Sequence, residues 1–108
     1  MTGEEIRAWL DDELANFPQR TSGEELYAYI TRRTAGVAET DRASLVEALS
    51  GWLKLRSEPK TMLAVDLAAK HRLTELRGEI ADLLDDVRDG EAFRPFYDRP
   101  ILEALAQL

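Results

Sequence analysis

Residues 57–73 read SEPKTMLAVDLAAKHRL, and the fold turns on this stretch. On a helical wheel Met62, Leu63, Val65, Leu67 and Leu73, with Ala64, Ala68 and Ala69, cover most of the circumference. Asp66 and Lys70 form the one clear polar strip, spaced i,i+4 so that they can pair. A helix apolar nearly all round is buried between other elements. This one is expected at the centre, with Leu63, Val65, Leu67 and Ala68 inside. Ser57 stands at its N-cap, and Pro59 falls in its first turn, where the missing N–H leaves no bond unmade.

Helices are expected on both sides of it. TGEEIRAWL begins at Thr2 and SGEELYAYI at Ser22, and both match the capping box, a hydroxyl three residues ahead of a glutamate. Behind the first box Ile6, Leu10, Leu14 and Phe17 share a face, and behind the second Leu26 and Ile30 do. Trp9 and Tyr29 take matching flank positions, and Pro18 and Gly36 punctuate the ends. The echo is a repeated way of starting a helix. A third helix starts near Asp41 and buries Leu45, Leu49, Trp52 and Leu53. A fifth is capped by Thr74 and closes at Gly90, with Gly78 in its interior as Gly51 is in the third. The last runs from about Arg99, with Pro100 in its first turn. No stretch alternates with period two over strand length. The expected class is all-α: one domain over 1–108, about six helices in antiparallel hairpins, as a short solenoid or a compact helical bundle.

EPKTMLAVDLAAKHRLTELRGEIADLL resembles the inner helix of one HEAT-type repeat running into the outer helix of the next. A shift of 34 residues superposes Val46, Leu49 and Leu53 on Ile80, Leu83 and Val87. The resemblance covers about residues 41–108. Met62 or Leu63 stands where the pattern has an early arginine. The resemblance implies a helical-hairpin scaffold that binds partners along a surface, without catalysis.

Composition narrows the function. A chain of 108 residues holds one core. It has no cysteine, which removes disulfides, thiolate metal sites and cysteine nucleophiles. The net charge of −7 opposes phosphate backbones, so nucleic acid is not an expected partner. No apolar run reaches membrane-spanning length, and a cytoplasmic location is expected. Eleven arginines against three lysines point to a GC-rich bacterial genome.

Two features carry the candidate site. Opposite the stripe Leu76, Ile80, Leu83, Leu84 and Val87 of the fifth helix lie Glu79, Asp82, Asp85, Asp86 and Asp89, with no basic residue in that arc. Asp82 and Asp86 form a like-charge i,i+4 pair. Asp85, Asp86 and Asp89 crowd a helix C-terminus, where the dipole is already negative. The arc is either a solvated face or a docking ridge for a basic partner. Asp85, Asp89 and Gly90 have calcium-loop spacing, but Val87 and Phe96 occupy ligand positions of such a loop, so it is rejected. The second feature, GEAFRPFYDRP at 90–100, brings Phe93, Arg94, Phe96 and Tyr97 into one loop. These are residue types enriched in interface hot spots, and equally rings that close the end of a core.

His71, the single histidine, lacks partners at metal or triad spacing. It is expected to be protonated and to meet the dipole at a helix C-terminus. No catalytic residue, metal ligand or cofactor is assigned. The expected function is a non-enzymatic protein–protein interaction module, an adaptor or an immunity-type inhibitor of a basic partner. The alternative is a carboxylate-dependent divalent-metal binder or small enzyme at Asp82–Asp89. Leu102, Leu105 and Leu108 either fold back onto the fourth and fifth helices or meet a second copy, and a monomer is expected over a homodimer.

Overall fold

A computed structural model describes residues 2–16 and 23–108. Phe17, Pro18 and the Ser22 capping box lie outside the described residues. The chain is all-α, with six helices and no strand among those residues: α1 Gly3–Asn16, α2 Gly23–Thr40, α3 Arg42–Leu55, α4 Glu58–Lys70, α5 Arg77–Arg88 and α6 Asp98–Gln107. Short 3-10 turns at Thr74–Leu76 and Pro95–Tyr97 precede α5 and α6. No helix is long and apolar enough to cross a membrane, among the described residues. Contacts divide the chain into two compact units, Met1–Ala48 and Leu49–Leu108.

The first unit buries Ile6 and Leu10 of α1, Ile30 and Thr34 of α2, and Leu45 and Ala48 of α3. Its opening capping box forms in full. Glu5 N–H donates to Thr2 Oγ1 and Thr2 N–H to Glu5 Oε1, each at 3.2 Å. Gly3 is buried because a Cβ there would stand 2.7 Å or less from three side-chain carbons of Glu47, so α1 needs a glycine where it meets α3. Gly36 does not end α2. The helix runs on to Thr40, whose hydroxyl donates to the Gly36 carbonyl at 2.8 Å. Asp41 alone separates α2 from α3, its carboxylate accepting from the Ser44 hydroxyl and backbone as an N-cap does.

The second unit is built on α4. Thr61, Leu63, Ala64, Val65, Leu67, Ala68 and Ala69 are all buried, so the four positions expected inside are inside. Thr61 survives in that environment because its hydroxyl donates to the Trp52 carbonyl of α3 at 2.7 Å. The expected Asp66–Lys70 pair is not formed. Both residues are exposed, and the apolar neighbours that partly desolvate Asp66 raise its pKa. Ser57 occupies the N-cap position of α4 without a side-chain cap bond, and Pro59 is in the first turn as expected.

Helix ends show where sequence rules fall short. α5 closes at Gly90 in a Schellman motif, with Glu91 N–H on the Asp86 carbonyl and Gly90 N–H on that of Val87. α4 closes in the same motif on Arg72, at φ 51°, with Leu73 N–H on Ala68 and Arg72 N–H on Ala69. The fully buried Leu73 supplies the hydrophobic contact that normally accompanies it. Arg56, at φ 54°, follows α3. Thr74 does not cap α5; its hydroxyl donates to Glu75 within the 3-10 turn, and α5 begins at Arg77, which puts Gly78 in the first turn.

α6 folds back onto α4 and α5. Its inward stripe is Ile101 and Ala104, buried, with Leu105 and Leu108 half-buried, the i, i+3, i+4, i+7 spacing of one face. Leu102 falls off that stripe and is 42% exposed.

Candidate functional site

The acidic arc of α5 is two sets of carboxylates. Glu79 and Asp86 turn toward α3. Ser50 Oγ donates to Glu79 Oε1 at 2.7 Å, and Lys54 Nζ lies 3.7 Å from the same oxygen. Arg56 spans the end of α3 and the side of α5: one guanidinium nitrogen donates to the Leu53 carbonyl at 2.9 Å, the other to Asp86 Oδ2 at 2.8 Å. A charge-assisted contact that also satisfies a helix-end carbonyl is a structural bond. The expectation of a ridge without basic partners therefore fails for Glu79 and Asp86. Their partners lie far earlier in the sequence, on α3 and just after it, where the periodicity of α5 gives no sign of them.

Asp82, Asp85 and Asp89 form the second set. All three are exposed, and their carboxylates have no hydrogen bond or ion pair among the described residues. Asp89 follows the last turn of α5, where the helix dipole adds to its repulsion with its neighbours.

The loop after α5 divides in a similar way. Ala92 is buried, with its N–H on the Asp86 carbonyl at 3.2 Å. Phe93 is half-buried and holds φ 56°, a left-handed conformation uncommon for an aromatic residue. Its ring meets Tyr97 edge-on at 5.8 Å. Phe96 stacks on Tyr97 at 4.8 Å and 28°, yet is 61% exposed. Tyr97 is half-buried, and its hydroxyl donates to Glu58 Oε1 of α4, a bond that raises the tyrosine pKa. Arg94 is exposed, near enough for its charge to act on Tyr97. Phe93 and Tyr97 thus serve the unit's own packing, whereas Phe96 is held out from it.

His71 stands at a helix C-terminus as expected, but its surroundings oppose the expected protonation. It is the C-cap residue of α4, half-buried, and desolvation followed by the nearby Lys70 charge lowers its pKa, favouring the neutral ring.

A polar cluster in the first unit escaped the sequence reading. Glu13 of α1 accepts from Trp9 Nε1 at 3.1 Å on Oε1 and from the Tyr29 hydroxyl on Oε2, and Arg33 reaches Oε1 at 3.4 Å. The Arg33 guanidinium also lies 5.3 Å from the Trp9 ring centroid. The Tyr29 hydrogen bond is the main cause of a lowered Glu13 pKa; partial burial opposes it, and the Arg33 charge reinforces it. The signal was present in the echo: Trp9 and Tyr29 hold matching positions in the two segments, and both point at one carboxylate.

Among the described residues no three of His, Cys, Asp and Glu converge so as to hold a metal ion. Compared with known proteins, the chain matches no family model, no curated protein and no solved structure. The class it can be given is that of its fold, an all-α protein.

Proposed function

We propose that the chain is a non-enzymatic protein–protein interaction module, an adaptor or an immunity-type inhibitor that binds a basic partner through its second unit. One observation carries the reading. Phe96 is presented 61% exposed on a loop fixed by its stack on Tyr97, in the unit that also displays the carboxylates of Asp82, Asp85 and Asp89, which are unpaired among the described residues. An exposed aromatic anchor with charged groups in the same unit has the makings of an interface with an apolar centre and a polar rim. Arg94 and the ring of Tyr97 complete the surface. Phe93, Glu79 and Asp86 support it from within.

The net charge of −7 favours a basic partner and opposes nucleic acid. A monomer is favoured, since α6 buries its own stripe on α4 and α5. A HEAT-like scaffold fits the same reading. Its support is the 34-residue correspondence of core positions, of which Leu49, Leu53, Ile80, Leu83 and Val87 are fully buried and Val46 half-buried.

The test is affinity capture from the native lysate at low and high salt, with the wild type beside an Asp82→Asn, Asp85→Asn, Asp89→Asn variant. Capture should weaken as salt rises and weaken again in the variant, while the fold is unchanged. Capture that ignores both salt and the three substitutions would remove the basic partner from the proposal.

A further inference from the structure

Two places in this chain set a tyrosine hydroxyl on a glutamate beside a second aromatic ring. In the first unit the set is complete: Tyr29 donates to Glu13, Trp9 lies alongside, and Arg33 covers the indole while reaching the same carboxylate. In the second unit Tyr97 donates to Glu58 and Phe96 stacks on Tyr97. No cation lies over these rings among the described residues, and the exposed Glu58 carboxylate makes no further hydrogen bond or ion pair there. Arg94 acts on Tyr97 through its charge but neither covers a ring nor pairs with Glu58.

We infer that Phe96, Tyr97 and Glu58 form a recognition site for an arginine side chain of the partner protein. The inference rests on the interaction-module reading and names the chemistry of its central contact. A planar guanidinium can stack on an exposed ring and direct its N–H fork at a carboxylate, whereas a lysine ammonium is a compact, strongly hydrated point charge. The chain itself uses that combination at Arg33. Phe96 has one face against Tyr97, and its 61% exposure leaves the ring accessible without rearrangement. Glu58 lies in the first turn of α4, and the hydrogen bond from Tyr97 fixes its carboxylate beside the rings.

The experiment is a nuclear magnetic resonance titration of the full chain with N-acetylarginine amide, and in parallel with N-acetyllysine amide. Amide shifts should concentrate at Phe93–Asp98 and Glu58, with the arginine probe saturating first. Phe96→Leu and Glu58→Gln should each weaken the arginine probe by about two- to fivefold. Circular dichroism checks that each variant keeps its helices, and Glu58→Gln carries the test if Phe96→Leu does not. Equal affinity for both probes, shifts elsewhere on the chain, or indifference to both variants would overturn the site. A basic partner captured in a salt-sensitive way but insensitive to Phe96→Leu would overturn the arginine site and leave the interaction module standing. Probe binding at this site without any captured partner would do the reverse.

Discussion

Glu13 and Glu58 each accept a tyrosine hydroxyl, and there the likeness stops. Glu13 is gathered in by Trp9 and Arg33, its side chain only 19% exposed, and it joins α1 to α2. Glu58 is exposed, and the ring beside its tyrosine faces solvent. The difference lies in who supplies the cation. Tyr29 and Arg33 are one turn apart on α2, so the helix that delivers the hydroxyl delivers the guanidinium as well. Tyr97 sits in a 3-10 turn whose neighbouring arginine stays in solvent. The same parts make a structural joint when the chain completes them and leave a surface when it does not.

The scale of a purely structural effect is set by α4. Leu67 is fully buried, so Leu67→Ala should lower the unfolding free energy by ~2–5 kcal/mol. Urea denaturation measures this directly. A loss below ~0.5 kcal/mol would mean that α4 is not core, and every contrast drawn from its burial would fall with it.

The comparison of the two glutamates comes next in size. Glu13→Leu removes the acceptor for Trp9, Tyr29 and Arg33 together, and should destabilise by ~1–2 kcal/mol, since these donors are partly able to find water. Glu58→Leu should leave the denaturation midpoint nearly unchanged. If the two variants lose the same amount, the second pair is as structural as the first and is not an open site.

α5 repeats the contrast on a smaller scale. Asp86→Asn breaks the ion pair to Arg56 while leaving that arginine on the Leu53 carbonyl, and should cost ~0.5–1 kcal/mol for a pair about one-third exposed. Asp82→Asn with Asp85→Asn should be neutral or slightly stabilising, because they remove unpaired like charges. Thermal denaturation of both variants at low and high salt separates them: the Asp86 loss should shrink with salt, and the other effect should vanish.

These contrasts also mark what the sequence could and could not disclose. Features set by local spacing were legible: the Thr2–Glu5 box, the apolar α4, the Gly90 stop and the early prolines of α4 and α6 all follow from residues within one or two turns. What failed depended on partners far along the chain. Nothing in RGEIADLLDDVR tells Glu79 and Asp86 from Asp82 and Asp85, because Ser50 and Lys54 of α3 and Arg56 just after it decide it. Helix ends at Arg56 and Arg72 were unreadable for a different reason. Arginine in the left-handed region is unfavourable locally and persists only where the surrounding packing holds it, as buried Leu73 does after Arg72. Gly36 misled in the opposite sense, since a glycine inside a helix is tolerated when the turns on either side continue. Of the candidate site, the loop was found by composition, but only the geometry separates Phe96 from Phe93 and Tyr97.

The smallest expected effect is the pH dependence, which distinguishes the units by the order in which they respond. His71 belongs to the second unit and has a lowered pKa, so its neutral form stabilises the fold. That contribution is complete above its ordinary value of 6.5 and is lost as the pH falls from there through the folded-state value. Glu13 belongs to the first unit, and its pKa is lowered by the Tyr29 hydrogen bond. Its contribution is complete above 4.5 and is lost only at lower pH, as the carboxylate protonates in the folded chain. Asp41, its pKa lowered by Ser44, acts with the same sign in the acid range, and Asp66, its pKa raised by desolvation, acts with the opposite sign, so the raw acid slope mixes three carboxylates. Substitution resolves them: His71→Gln should flatten the stability profile just below pH 6.5, and Glu13→Gln should flatten it only below pH 4.5. Urea midpoints measured in steps of half a pH unit are sufficient. Should Glu13→Gln leave the acid slope unchanged, the Trp9–Glu13–Tyr29–Arg33 joint contributes nothing to the folded state in solution, and it loses its standing as the completed counterpart of Phe96, Tyr97 and Glu58.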